Sequence, residues 1–279
     1  MLFFAYDGTI NGDWVSHYAV RLASHHPQRQ LRLVHVHERS GDSADRDRRI
    51  EQISKECAHL SVRLEVDIRN LTRNVFSTLR SAIPDDPDTF LVCGTRIRGR
   101  YRGYLAGSVG EQFLEARRFN VLVVRVVQPG LLGVPRTVLA PVSGHSGGFA
   151  SGLPFLNLLA PDMARLHVLH VKRIGYWQLR RLLPNAADGL RRDGIEYCQR
   201  IEQEAVAAGA LRNVLMDAHA TVSDDVPKEI VVYANRFKSG LIYMGASERN
   251  WLQRLLLGNP LERVIRTAPC DVAVYRGVV

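Results

Sequence analysis

The sequence has few cysteines, few lysines and no long apolar segment. Its four cysteines are scattered, without the spacing of zinc ligands or redox motifs, which favours reduced thiols that fill small apolar positions. No run approaches the roughly 18 to 20 uncharged apolar residues that cross a bilayer, and Met1 leads into a strand pattern instead of a cleavable leader. We therefore expect a soluble cytoplasmic protein with no membrane partner.

Lysine is nearly absent, so the net charge of +9 comes from arginine. Residues 1–128 contain 19 Lys and Arg against 15 Asp and Glu, and the rest of the chain contains 18 against 13. Neither half is a basic module, and the arginines alternate with acids along predicted helices. This pattern favours solvated helix faces and predicts no nucleic-acid partner.

Several catalytic and metal-binding patterns are also missing. There is no Walker motif and no carboxylate pair at acid–base spacing, and the segment 143–146 (Ser-Gly-His-Ser) lacks the Gly-x-Ser-x-Gly elbow of a serine nucleophile. Four histidines lie on predicted strands without a carboxylate or cysteine at ligand spacing: His35, His37, His167 and His170. The sequence predicts no catalytic residue and no metal site.

What the sequence does contain is a repeat. Gly94 and Gly107 are thirteen residues apart, and Gly245 and Gly258 repeat this spacing at an offset of 151. Each first glycine ends an apolar run, and the offset of 151 also relates two further pairs: Glu111 with Glu262, and Arg125 with Arg276. The sequence therefore predicts one α/β module present twice, as domains 1–128 and 136–279 joined by the linker 129–135.

Strand and helix patterns alternate throughout the first copy. The expected strands are Leu2–Tyr6, Leu31–His37, Val62–Ile68, Phe90–Cys93 and Val121–Val127, and the expected helices are Trp14–Ala23, Ala44–Ala58, Leu71–Ala82 and one from Gly107. This order predicts an open parallel sheet with helices on both faces.

The second copy contains an insertion. Its first two strands are offset from the first copy by about 135 residues, whereas the later landmarks are offset by 151, so some fifteen extra residues lie between its second and fourth strands. We place them at Arg173–Leu190. Two interpretations stay open: a short amphipathic helix that covers its own domain, or a lid or subunit interface.

The repeated glycines indicate a binding site. In an open parallel sheet the crevice lies beyond the carboxyl ends of neighbouring strands whose helices cover opposite faces. If the first and fourth strands are neighbours, Asp7, Gly94 and the pair Gly107–Ser108 converge there. Glycine permits close backbone approach, and a helix start presents amides to an anion. Asp7 offers acceptors to a ribose or base.

These motifs resemble the universal stress protein family in its tandem form, and the resemblance covers essentially the whole chain. Nucleotide-binding members have Gly-x2-Gly-x9-Gly-Ser/Thr after the fourth strand, an aspartate after the first, and a closing strand that ends in arginine. The segment 258–276 is similar to the family's C-terminal signature. The resemblance implies two Rossmann-like, adenine nucleotide alpha hydrolase-like domains in an intrachain pseudo-dimer, and a stress-responsive regulator with at most slow ATP hydrolysis.

The resemblance also implies the site residues and partners. The adenosine pocket is expected at Ala5, Asp7, Val36 and Cys93, the phosphate side at Gly94, Gly107, Ser108 and Val109, and a weaker second site at Gly245, Gly258 and Asn259. The final strands, Val121–Val127 and Val272–Tyr275, are expected to pair within the chain. A homodimer and an unknown protein partner are further expectations.

Departures from the family motif weaken both sites. Ile97 and Glu248 stand where the middle glycine belongs, and Ser143 and Asn259 replace the aspartate and the hydroxyl residue in the second copy. The second site is therefore expected to be degraded. In the first copy two interpretations stay open: the arginines of 96–103 supply charge to bound ATP, or this loop is exposed and the protein is a nucleotide-free interaction protein with vestigial pockets.

Overall fold

The computed structural model describes residues 1–37, 43–95, 104–105, 107–143, 146–209, 211–246 and 260–278. The chain divides into two compact units, one of Met1–Val134 with Tyr275–Val279 and the other of Pro135–Val274. In both, parallel strands alternate with helices, so the predicted α/β class is confirmed. Across the described ranges, no helix has the length and hydropathy needed to span a membrane.

The first unit is a five-stranded sheet in the order β3–β2–β1–β4–β5. Its strands are β1 (Leu2–Tyr6), β2 (Gln30–His37), β3 (Arg63–Asn70), β4 (Phe90–Gly94) and β5 (Asn120–Arg125), and its helices are α1 (Ile10–His25), α2 (Ser43–His59), α3 (Val75–Arg80) and α4 (Val109–Ala116). The central strands are almost fully buried because helices cover both faces.

Local sequence sets the ends of these helices. Thr9 caps α1 by accepting the Gly12 N–H, which starts the helix four residues before the predicted Trp14. The predicted helix Leu71–Ala82 is shortened to α3. The cause is Asn74, which caps the helix in a reciprocal capping box with Ser77, while the Leu71 N–H still donates to the His37 carbonyl.

The second unit has the same strand order, β8–β7–β6–β9–β10. Its strands are β6 (Thr137–Val142), β7 (Arg165–Arg173), β8 (Leu215–Ser223), β9 (Leu241–Gly245) and β10 (Asp271–Arg276). Its helices are α5 (Ser146–Ala150), α6 (Leu153–Leu159), α7 (Tyr176–Arg180), α8 (Pro184–Ala207), α9 (Val226–Arg236) and α10 (Pro260–Thr267).

The insertion falls between β7 and β8. This connection spans 174–214, whereas the corresponding connection of the first unit spans 38–62. It contains the short helix α7 and the 24-residue helix α8. Trp177 on α7 is 69% exposed, so this aromatic ring is not buried against its own unit. Trp177 therefore does not fit the interpretation in which the insertion covers its own domain.

Candidate functional site

The candidate site lies at the carboxyl end of β1 in the first unit. There β1 pairs in parallel with β2 on one side and β4 on the other, with Ala5 opposite both Val34 and Cys93. This confirms that the first and fourth strands are neighbours. It also makes this end of the sheet the point where the chain order reverses, which is where open α/β sheets form their ligand crevice.

Asp7 follows β1 and is half-buried. Its Oδ1 accepts hydrogen bonds from the Thr9 N–H at 3.0 Å and from the Thr9 hydroxyl at 2.7 Å. A Cβ placed on Gly12 would lie only 2.5 Å from the same oxygen, so the first turn of α1 passes directly over the carboxylate. Asp7 therefore shapes the β1–α1 turn in addition to any contact it makes with a ligand.

Gly94 ends β4 beside that same turn of α1. A Cβ at Gly94 would meet Asn11 Nδ2 and Val15 Cγ2, each at 3.3 Å, and Asn11 Nδ2 donates to the Thr95 carbonyl at 3.0 Å. The absence of a side chain at Gly94 is needed for close packing of α1 on the strand end. The structure thus brings Asp7 and Gly94 together around one helical turn.

Gly107 and Ser108 form the start of α4. Gly107 has φ +71°, which favours glycine, and a Cβ there would meet none of the described residues within 4 Å. Ser108 caps the helix by accepting the Glu111 N–H at 3.0 Å. The Glu111 carboxylate in turn accepts the Gly107 N–H. The amide and hydroxyl expected to face a phosphate are therefore already paired within the chain.

The remaining residues predicted for the first site, three on the adenosine side and Val109 on the phosphate side, are apolar or weakly polar. Val36 and Cys93 are buried, Ala5 is half-buried on β1, and Val109 opens α4 half-buried. Burial raises the pKa of the Cys93 thiol to about 12, so it stays protonated and acts as a small apolar group.

Two polar residues at this edge were missed from the sequence. His35 on β2 is buried, and its Nδ1 lies 3.0 Å from the Tyr6 carbonyl; burial lowers its pKa. Thr95 follows Gly94 directly, and its buried Oγ1 makes no hydrogen bond with the part of the chain that the structure describes. The position of Thr95 right after the strand-ending glycine was the available signal. A buried hydroxyl without a partner is costly unless a ligand or water satisfies it.

The second unit differs at the equivalent edge. Ser143, in the place of Asp7, is exposed, and its carbonyl accepts the Tyr197 hydroxyl of α8 at 2.6 Å. Gly245 ends β9 and is half-buried. Several predicted residues lie outside the described ranges: Ile97 and the arginine loop 96–103 in the first unit, and Glu248, Gly258 and Asn259 in the second.

A separate group of possible metal ligands lies between β7 and β8. His167 pairs in register with Asp217, two residues before His219 on the same strand. One donor atom from each of these three side chains lies within 4.8 Å of the other two. The sequence prediction of no metal site considered spacing along single strands, and that spacing does not show this cross-strand group.

Comparison with known proteins identifies the family. A model described as the universal stress protein family matches residues 137–276, half of the chain. A universal stress protein of Methanocaldococcus jannaschii is 25% identical over 151 residues, which are 50% of this chain and 82% of that protein.

Two solved structures share the fold over nearly the whole chain. A universal stress protein of Archaeoglobus fulgidus has a TM-score of 0.64 at 17% identity, and the match covers 99% of this chain and 96% of that protein. A Pseudomonas aeruginosa protein described as a putative universal stress protein has a TM-score of 0.57 at 14% identity. This match covers 98% of this chain and 92% of that protein. At these identities the two structures show the fold alone, and the family model decides the assignment. The chain belongs to the universal stress protein family.

Proposed function

We propose that this protein is a stress-responsive regulator that binds an adenine nucleotide, ATP or a close analogue, in the crevice of its first unit. The observation that carries the proposal is the convergence of Asp7 and Gly94 around the first turn of α1, at the strand end where the sheet order reverses. The helix start at Gly107 and Ser108 supplies a positive dipole end for phosphates.

The Thr95 hydroxyl, for which the described residues offer no hydrogen-bond partner, supports a ligand at this edge. Its Oγ1 is buried beside Gly94 and lacks a partner among the described residues. A nucleotide hydroxyl or a bound water is the kind of group that satisfies such an atom. We expect the second unit, with Ser143 in place of Asp7, to bind nucleotide weakly or not at all.

A second candidate function follows from Glu111. Its carboxylate accepts the Gly107 N–H, so an anion would have to displace a negative charge from the helix start. This contact favours a nucleotide-free interaction protein in which the crevice is vestigial. Both candidates describe a regulator and not a metabolic enzyme.

Titration of the full chain with labelled ATP separates the two candidates. Wild type is expected to bind one ATP saturably, and Gly107→Gln is expected to abolish binding because the new side chain would extend from the helix start where the phosphates are proposed to bind. Gly209→Gln is the matched control, since Gly209 has a similar φ of +73° but lies in the second unit. Absence of saturable binding at millimolar ATP would leave the interaction protein as the function.

The tandem form is part of the proposal. Residues 1–128 and 136–279 are proposed as two universal stress protein domains, and the identical strand order of the two units supports this. Pairing through the final strands 121–127 and 272–275, association into a homodimer and a cytoplasmic location are proposed with it. Light scattering of the purified chain tests the homodimer, because a monomeric mass would refute it.

A further inference from the structure

The His167–Asp217–His219 group has a position that the nucleotide crevice does not explain. Because side chains alternate along a strand, Asp217 and His219 of β8 point to the same face of the sheet, and His167 of β7 lies directly opposite Asp217. Phe237, which follows α9, stacks on the His167 ring at 4.0 Å and lies 4.5 Å from the His219 ring. The two imidazoles are therefore held beside an apolar ring.

Two of the three spacings between donor atoms are close to those around a tetrahedral ion. His167 Nδ1 lies 3.0 Å from His219 Nε2 and 3.4 Å from Asp217 Oδ2. Zinc–nitrogen and zinc–oxygen bonds of about 2.0–2.2 Å in tetrahedral geometry place neighbouring ligand atoms about 3.3 Å apart. The two observed distances lie on either side of that value. Two imidazoles and a carboxylate are also a ligand set that zinc accepts, with a fourth position left for water.

Two carboxylates near the group have a buried oxygen that accepts no hydrogen bond from the described residues, although Asp217 forms an ion pair with Arg165. Asp217 Oδ2 is buried and makes no hydrogen bond with the described residues, and Arg165 Nε is 3.5 Å away. Glu202 of α8 also has a buried Oε1 without a hydrogen-bond partner there. A divalent cation would offset the repulsion between these two carboxylates.

The four cysteines do not compete for the ion, because all are buried and burial raises the pKa of each to about 12.

We propose that His167, Asp217 and His219 form a zinc site in the second unit, independent of the nucleotide crevice of the first. The alternative is that His167 and His219 form a hydrogen bond with each other, pack against Phe237 and bind no metal ion. The buried Oδ2 of Asp217, which accepts no hydrogen bond from the described residues, favours the zinc site.

The test is equilibrium dialysis of the untagged full chain against Zn²⁺, with the metal content measured by mass spectrometry. Wild type is expected to bind about one zinc per chain, and Asp217→Asn is expected to weaken binding at least about tenfold. Asp217 is the best position to change because its side chain is 40% exposed and asparagine keeps its shape. His170→Gln is the matched control, since His170 lies on β7 with its Nδ1 directed at the Val142 carbonyl, 3.2 Å away.

Cobalt gives a second readout that does not depend on stability. Co²⁺ in a four-coordinate site absorbs visible light far more strongly than hydrated Co²⁺, so wild type and His170→Gln are expected to develop this absorption and Asp217→Asn is not. No saturable zinc binding by wild type at millimolar Zn²⁺ would overturn the proposal. Equal zinc binding by wild type and folded Asp217→Asn, judged by circular dichroism, would also overturn it.

Discussion

Removal of the Glu111 charge should have opposite effects on stability and on nucleotide binding. Glu111 lies at the third position of α4, where its N–H donates to the Ser108 hydroxyl and its carboxylate accepts the Gly107 N–H. The Ser108 hydroxyl caps the helix, and the Glu111 carboxylate places a negative charge at the positive end of the helix dipole. Glu111→Gln retains an acceptor oxygen but removes the charge.

The stability change can be estimated from the helix dipole. A carboxylate at a partly exposed helix start stabilises by about 0.3–1 kcal/mol, so Glu111→Gln should lower the free energy of unfolding by about that amount. Glu115→Gln is the matched control: it removes the same charge from the same helix at an exposed position one turn further on. Its effect should be smaller, within about 0.5 kcal/mol.

Glu111→Gln should raise the affinity for ATP, although it lowers stability. A phosphate that takes the Gly107 N–H approaches the site now occupied by the Glu111 carboxylate. Two unit charges about 5 Å apart in a largely aqueous environment repel by about 1 kcal/mol, so Glu111→Gln should bind ATP about fivefold more tightly. This gain should shrink at high salt, because exposed charges are screened.

Equilibrium dialysis with labelled ATP at low ionic strength, together with urea denaturation, measures both quantities on the same three proteins. The expected pattern is a less stable Glu111→Gln with tighter ATP binding, and a Glu115→Gln close to wild type in both. Equal ATP affinity of the two variants would show that phosphate does not approach the start of α4. That result would refute the placement of the phosphates even if ATP binds elsewhere.

Three further predictions concern stability. Burial holds the pKa of His35 below its usual value of about 6.5, so the unfolded chain binds this proton more readily than the folded chain. The free energy of unfolding should therefore fall as the pH drops below about 6.5. Urea denaturation at neutral and mildly acidic pH should show a smaller fall for His35→Gln than for wild type. Gly110→Ala places a Cβ 2.9 Å from Val123 Cγ1 and should destabilise by about 1–3 kcal/mol in thermal denaturation. Gly130→Ala is the control and should be near neutral, because its Cβ would meet none of the described residues within 4 Å. Tyr243→Phe removes a buried hydroxyl that donates to a carbonyl 2.7 Å away and should cost about 1 kcal/mol by urea denaturation.

The parallel sheet and the pairing of its first and fourth strands were accessible from the sequence. Alternation of strand and helix patterns predicts parallel pairing, and Asp7 and Gly94 each follow an apolar run, so their place at the carboxyl ends of strands follows directly. The helix limits were less accessible. The apolar pattern from Leu71 to Ala82 reads as one helix, but the Asn74 cap shortens it to Val75–Arg80.

Contacts that depend on strand register or side-chain reach were beyond the sequence. His167 meets Asp217 only because β7 and β8, 50 residues apart in sequence, pair in one register; a shift of one residue would turn Asp217 to the other face. The bond from Gly107 to Glu111 depends likewise on where the helix starts. No spacing rule singles out either contact.

The two units keep one contact at the crevice and differ in another. His35 Nδ1 lies 3.0 Å from the Tyr6 carbonyl, and His170 Nδ1 lies 3.2 Å from the Val142 carbonyl. Each ties the end of the first strand of its unit to the second strand. Because this contact is present in both units, it serves the fold and carries no information about a ligand.

The residue after that strand end differs between the units, and this affects how mutations there must be interpreted. In the first unit the Asp7 side chain accepts the Thr9 N–H, whereas in the second unit the Ser143 carbonyl accepts the Tyr197 hydroxyl. The turn after the first strand is therefore stabilised by different groups in the two units. Substitution of Asp7 therefore disturbs the fold and the crevice together, and loss of ATP binding in such a variant would not locate the nucleotide. Thr95→Val is the cleaner probe. It removes a buried hydroxyl that makes no hydrogen bond in the described chain, so a loss of affinity without loss of stability points to the ligand.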